Sequence, residues 1–169
     1  MQKSGFKPVV AGKPKVLILG SMPSEASLAQ QQYYAYAHNA FWPIMAELFG
    51  FAVELDYVKR TKELTKNRIA LWDVIEQCKR EGSLDTSIQS ESIIVNDFKS
   101  LFAKYHSIQH VIFNGQKAQQ EFRRRVLTEL SEFKPDLKYY VMPSTSPANA
   151  RLRFADKLQA WSIIKELIS

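Results

Sequence analysis

The chain has 169 residues, 46% of them hydrophobic and 24% charged, which suits one soluble globular domain and argues against a disordered or membrane-embedded chain. Its one cysteine, Cys78, excludes an internal disulfide framework, a four-thiolate zinc site and a four-cysteine iron–sulfur cluster. A net charge of +6 favours a polyanionic partner, since each neutralised phosphate releases counterions, but a merely basic soluble protein is equally consistent with it.

Residues 1–14 are polar and basic, without the apolar run of a signal peptide, and residues 1–13 are expected to form a flexible or loosely packed lead-in to a single domain spanning 1–169. No stretch reaches transmembrane length. With one thiol, the expected compartment is reducing: the cytoplasm of a prokaryote, or a nucleus where there is one. The first predicted strand covers residues 15–19, a short and nearly continuous apolar run. It feeds Gly20-Ser21-Met22-Pro23-Ser24, where glycine permits close backbone approach and Ser24 can cap a helix over residues 25–30. Backbone N–H groups of such a turn bind anions; it lacks the second glycine and the Gly-Lys-Ser/Thr ending of a Walker loop, and structure alone also accounts for it.

Tyr33-Tyr34-Ala35-Tyr36-Ala37-His38-Asn39-Ala40-Phe41-Trp42 is dense in aromatic residues that follow no strand or helix period. The rings either stack on nucleobases or pack over the sheet edge, with Asn39 capping the helix Phe41–Phe49. That helix places Phe41, Ile44, Met45, Leu48 and Phe49 on one face and stops at Gly50. A charged helix comes next at Tyr57–Lys66. A second strand at residues 68–72 ends on Asp73, which either reads a base edge or caps a short helix after it. Asn96 or Asp97 is positioned to cap a helix over 98–105, ahead of a third strand, His110–Asn114. A long amphipathic helix is predicted over 116–130, with Arg123-Arg124-Arg125 on a solvated face.

The fourth strand, residues 139–142, runs into Pro143-Ser144-Thr145-Ser146-Pro147-Ala148-Asn149-Ala150-Arg151, a hydroxyl-rich turn stiffened by two prolines. Small hydroxyl residues approach phosphate oxygens closely, and Arg151 and Arg153 add charge; a surface loop with a helix cap is the alternative. A last helix, residues 155–168, points Leu158, Trp161 and Ile164 inward. Strands alternating with helices predict an α/β fold: a three-layer α/β/α sandwich around a four-stranded, mainly parallel sheet. In such a sheet the ligand crevice lies off the carboxyl ends of the strands, where this chain carries Gly20–Pro23, Asp73, Asn114-Gly115-Gln116 and Pro143–Pro147. The three histidines, His38, His106 and His110, show no metal-binding spacing, so neither a metal nor another cofactor is expected.

In this order the segments resemble the uracil-DNA glycosylase superfamily, nearest its hypoxanthine (deoxyinosine) branch. The resemblance is carried by Gly20-Ser21-Met22-Pro23, Asn39-Ala40-Phe41-Trp42, Leu71-Trp72-Asp73-Val74-Ile75, Phe113-Asn114-Gly115-Gln116-Lys117-Ala118 and Pro143-Ser144-Thr145-Ser146-Pro147-Ala148. It implies a monomeric, metal-free enzyme that removes a deaminated base, hypoxanthine above all, from duplex DNA in base excision repair. The alternatives are uracil or mismatched thymine as substrate, or a non-catalytic binder of damaged DNA. Many members carry an Asp or Asn in the turn after the first strand; here Met22 stands there, and the resemblance assigns the chemistry to Asn39. It further implies that Gly20, Ser21, Met22, Phe41 and Asp73 hold the flipped base, with Phe41 stacking on it. Asn114, Gln116, Lys117, Ser144, Thr145, Ser146 and Arg151 would contact the DNA. The superfamily's leaving-group histidine is absent, with Met142 preceding Pro143-Ser144.

Overall fold

A computed structural model describes all 169 residues. Four strands, β2 (Val16–Gly20), β3 (Ile69–Asp73), β6 (His110–Asn114) and β7 (Lys138–Met142), form one sheet in the order β3-β2-β6-β7, every neighbouring pair parallel. Each predicted strand falls within one residue of its expected place. All five residues of β2 and of β3 are buried, because helices cover both faces of the sheet.

Alternate side chains sort onto the two faces. Leu17, Leu19, Ala70, Trp72, Val111 and Phe113 pack against α4 (Phe98–Lys104), α5 (Gln116–Arg125) and α6 (Leu127–Phe133). Val16, Ile18, Ile69, Leu71 and Ile112 pack against α2 (Phe41–Phe49), α3 (Tyr57–Lys66), α7 (Phe154–Trp161) and α8 (Ile163–Leu167). The result is the expected three-layer α/β/α arrangement. Pro43 falls in the first turn of α2, where its missing N–H has no intrahelical partner to lose. The chain leaves β2 toward one face and β6 toward the other, so a crevice opens between their carboxyl ends.

The structure adds a second sheet that the sequence reading missed. β1 (Gln2–Ser4), β4 (Ile75–Lys79) and β5 (Ile94–Val95) pair antiparallel in the order β1-β4-β5, over a small core of Met22, Ile75, Cys78, Ile88 and Ile93. The amino-terminal residues are therefore not loosely packed. Besides β1, Val9 exchanges two backbone bonds with Leu71, and Trp72 Nε1 donates to the Phe6 carbonyl at 3.0 Å. β3 is an edge strand, and this segment satisfies the outward N–H and C=O groups of Leu71 at its centre. Two long helices are also broken. The first divides at Val126 (φ −124°) into α5 and α6, and the last at Ser162 into α7 and α8. Asp97, rather than Asn96, caps α4 by accepting from the Ser100 N–H at 3.1 Å.

Candidate active site

A cavity of about 370 Å³ opens in the crevice between β2 and β6. Its walls come from the turn after β2 (Gly20 to Ser24), the aromatic segment (Tyr33, Tyr34, Asn39), the end of β3 (Asp73), Asn114 and the loop after β7. Residues 83–86, between β4 and β5, complete the wall. A concave site with a few convergent polar groups at this edge fits a small aromatic ligand.

Asn39 is half-buried and borders the cavity. Its Oδ1 accepts from the Phe41 N–H at 2.9 Å, one residue before the true cap of α2, Ala40. The bond fixes the amide's orientation while leaving its NH₂ group and the second lone pair of its oxygen available. The plainest expectation for this residue, a helix cap, is thus met in part by an Asx turn, and the residue also lines the cavity.

The loop after β7 is braced from three directions. Asn114 Nδ2 donates to Thr145 Oγ1 at 2.9 Å, and the Thr145 N–H donates to Asn114 Oδ1 at the same distance. The Ala40 N–H donates to the Thr145 carbonyl at 2.9 Å, and Trp161 Nε1 to the Pro143 carbonyl at 3.0 Å. Gly115 adopts φ +95°, and a Cβ there would lie 3.0 Å from Ser144 Cβ, so the start of α5 and the loop can meet this closely only with glycine.

Asp73 ends β3 and is 4% exposed. Its Oδ2 has no hydrogen-bond partner, and neither does the buried hydroxyl of Tyr34. Burial pushes the Asp73 carboxyl up to about 7; the nearby Asp85 carboxylate adds to the rise and the Arg80 guanidinium opposes it. Burial, with Asp73 next, likewise raises the Tyr34 phenol, which stays protonated. Gly20 makes this cluster possible: a Cβ there would lie 2.5 Å from Asp73 Oδ1 and 3.0 Å from Tyr34 Oη. Gly20→Ala is expected to destabilise the protein by about 1–3 kcal/mol and to weaken ligand binding, because both polar groups must shift; urea denaturation and ligand titration measure the two effects.

The N–H groups of Ser21, Met22 and Ser24 donate to no group of the protein, and all three residues line the cavity. Arg80, fully buried, holds the turn from behind through a bond from its guanidinium to the Pro23 carbonyl. No group of three or more His, Cys, Asp or Glu side chains is gathered to hold a metal ion. No helix is long and apolar enough to cross a membrane.

Residues 7–165 match the uracil DNA glycosylase superfamily. The chain belongs to that superfamily. It is 38% identical over 157 residues to a protein named hypoxanthine DNA glycosylase from Methanosarcina acetivorans, covering 89% of this chain and 90% of that one. A Methanosarcina barkeri protein of the same name is 39% identical over 119 residues, 70% of this chain and 74% of the relative. The solution NMR structure of a candidate uracil DNA glycosylase from M. acetivorans superimposes with a TM-score of 0.82 at 34% identity, covering the whole of both chains.

Within this glycosylase fold the predicted residues divide. Gly20, Ser21, Met22, Asn39, Asp73, Asn114, Ser144, Thr145 and Ser146 all line the cavity. Met22 also packs into the small core under β4. Phe41 does not line it. The ring is fully buried in α2's inward face, and Tyr34 lies over it, centroids 4.0 Å apart and planes inclined by 20°. Tyr34, held at φ +56°, and its neighbour Tyr33 are the aromatic residues that line the cavity. Gln116, Lys117 and Arg151 also lie outside the wall. Lys117 turns to the buried Glu121, 3.7 Å away, which also draws Arg124 and Arg125. Arg125 further donates to the Ser90 carbonyl at 2.9 Å, so it braces the small sheet's connecting segment rather than a wholly solvated face. Asn114 spends its amide on Thr145, which makes it a strut of the loop. Tyr34 belongs to the aromatic segment whose rings the sequence offers either for base stacking or for packing over the sheet edge, while nothing in the sequence pointed to residues 83–86 as a wall.

Proposed function

We infer that this protein is a monofunctional DNA glycosylase that hydrolyses the N-glycosidic bond of a flipped-out deaminated base in duplex DNA, with hypoxanthine as its substrate. The observation that carries the reading is the meeting of one amide, Asn39, one buried carboxyl, Asp73, and one aromatic face, Tyr34, in a single cavity off the carboxyl rim of the sheet. The relatives named hypoxanthine DNA glycosylase support the choice of base.

The target nucleotide leaves the helix at a cost of a few kcal/mol, least at a mispaired base. Its base slides over Tyr34, a stack contributing roughly 1–3 kcal/mol. Asp73 in its neutral form has one donor and one acceptor to offer. Hypoxanthine presents the complementary edge, an N1–H beside the O6 carbonyl. The free N–H groups of the turn after β2 stabilise negative charge growing on the departing base. Asn39 cannot serve as a general base near neutral pH, so it acts by position, orienting the water that captures an oxocarbenium-like sugar. The loop over residues 143–149, stiff before DNA arrives, meets the backbone with little entropy left to lose. The protein acts as a monomer on its duplex.

The experiment is a panel of duplexes carrying hypoxanthine, uracil, xanthine or a thymine mismatch, scored by alkali-labile strand breaks. Hypoxanthine duplexes should break first. A protein that breaks only uracil or thymine duplexes has the substrate misassigned, and one that binds every duplex and breaks none is a damage binder.

A further inference from the structure

The cavity contains two carboxyl groups, and they sit in different surroundings. Asp73 lies at the closed end. Asp85 is exposed on the loop that joins β4 to β5, and it borders the same cavity. Loop residues at a protein surface are ordinarily free to move, yet this loop is tied at two points. Asp85 Oδ1 accepts from the Ser21 hydroxyl at 2.6 Å, and Ser83 Oγ accepts from the Glu25 N–H at 2.8 Å. Both ties run to the turn after β2 and the first residue of the helix that succeeds it, α1 (Glu25–Gln30). The second carboxylate oxygen of Asp85 has no partner in the protein.

A nucleotide enters such a pocket base first. The base fills the closed end beside Asp73, and the sugar stays at the mouth, beside Asp85. Asn39 can orient a water molecule there but cannot take its proton. We propose that Asp85 is a second catalytic residue, the carboxylate that accepts the proton of the attacking water. The proposal rests on the glycosylase reading above. As the glycosidic bond breaks, its electron pair leaves with the base, and C1′ becomes an oxocarbenium-like centre. The water oxygen then bonds to C1′ while one of its protons passes to Asp85 Oδ2. That proton is later released to solvent, and the departing base takes one up, so the net reaction is the addition of one water across the broken bond. Before the proton moves, the negative carboxylate also stabilises the cationic sugar.

The same position has a cost that makes the proposal testable. A carboxylate at the mouth of a DNA-binding pocket repels the flanking phosphates, in a chain whose +6 charge otherwise favours them. Asp85→Asn retains an oxygen able to accept from Ser21, so the loop tie survives while the charge and the proton acceptor go. The expected result is a fall of about 100-fold in single-turnover excision of hypoxanthine, with affinity for an abasic-site duplex unchanged or several-fold tighter. Asp85→Asn that excises at the parent's rate overturns the proposal and leaves Asp85 a tether. Loss of excision together with loss of abasic-site binding overturns it too, since the loop would then be structural. Ser21→Ala, which removes the tie but not the carboxylate, should cost less than Asp85→Asn; the reverse order also counts against a chemical role. A parent protein that excises nothing from any duplex brings down the glycosylase reading itself, an outcome distinct from these.

Discussion

Asn39→Asp is expected to lower single-turnover excision of hypoxanthine by about 100-fold or more while changing the affinity for abasic-site duplex less than about threefold. The choice of substitution matters because Asn39 has two roles. Its Oδ1 accepts from the Phe41 N–H, and its amide borders the cavity. Asn39→Ala removes both and should cost about 1 kcal/mol of stability through the lost turn bond alone, so its inactivity would be ambiguous. Asn39→Asp keeps an acceptor of the same shape for the Phe41 N–H. It loses the NH₂ donors and adds a negative charge near Asp73 and Asp85. If the amide works by positioning water, turnover collapses and the thermal midpoint stays within a few degrees. If Asn39 is only a helix-start residue, Asn39→Asp turns over like the parent, and the amide leaves the mechanism.

How legible each feature was in the sequence depends on how far it relies on neighbours in space. The four parallel strands could be read because both their faces are covered: runs such as Val16–Gly20 and Ile69–Asp73 are apolar almost throughout, whatever packs on them. β1 and β5 could not. Gln2–Ser4 has no apolar residue at all, and Ile94–Val95 is two residues long; both exist only because β4 lies between them. β4 itself does carry a faint signal, with Ile75 and Cys78 inward and Glu76 and Lys79 outward. The breaks at Val126 and Ser162 involve no glycine or proline, so periodicity runs through them unmarked.

Phe41, expected to stack on the base, lies outside the cavity wall for a reason its helix supplies. Helical spacing puts Phe41 on the same face as Ile44 and Met45, and that face is buried. A ring committed to the core of α2 is not also free to cover a ligand. In the function proposed above the adjacent irregular segment supplies the ligand-facing ring, with Tyr34 stacked on Phe41. Asp73 and the loop after β7 line the cavity as strand ends predict, whereas Asn39, which follows no strand, was pointed to by the family resemblance. Asp85 escaped because its loop belongs to the second sheet, and nothing in Gly82-Ser83-Leu84-Asp85-Thr86 distinguishes it from an ordinary exposed turn.

The buried carboxyl at the closed end supplies the other large effect, one of opposite sign for stability and for pH range. Raising Asp73 from its ordinary 3.8 to about 7 favours the neutral group by on the order of 4 kcal/mol. Between those two values the folded protein retains a proton that the unfolded chain has released. The contribution is therefore fully present below about pH 4, declines as pH rises through 7, and is gone above that. Asp73→Asn removes the titration while keeping one donor and one acceptor. At pH 8 it should raise the thermal midpoint by at least about 5 °C, at roughly 2–4 °C per kcal/mol for a chain this size, and at pH 4 it should change little. Catalysis should follow the same proton. Above pH 7 an ionised Asp73 presents only lone pairs to the O6 carbonyl of hypoxanthine, so excision by the parent should fall toward tenfold per pH unit while Asp73→Asn stays level. The groups that set this window are Asp85, whose negative charge holds the carboxyl up, and Arg80, whose guanidinium draws it down, with the neutral phenols of Tyr34 and Tyr33 close by. Asp85→Asn should accordingly move the parent's alkaline fall to lower pH. A midpoint difference between parent and Asp73→Asn that is the same at pH 4 and pH 8 would show the carboxyl to be ionised throughout, and the neutral donor–acceptor pair at the end of β3 would have to be abandoned.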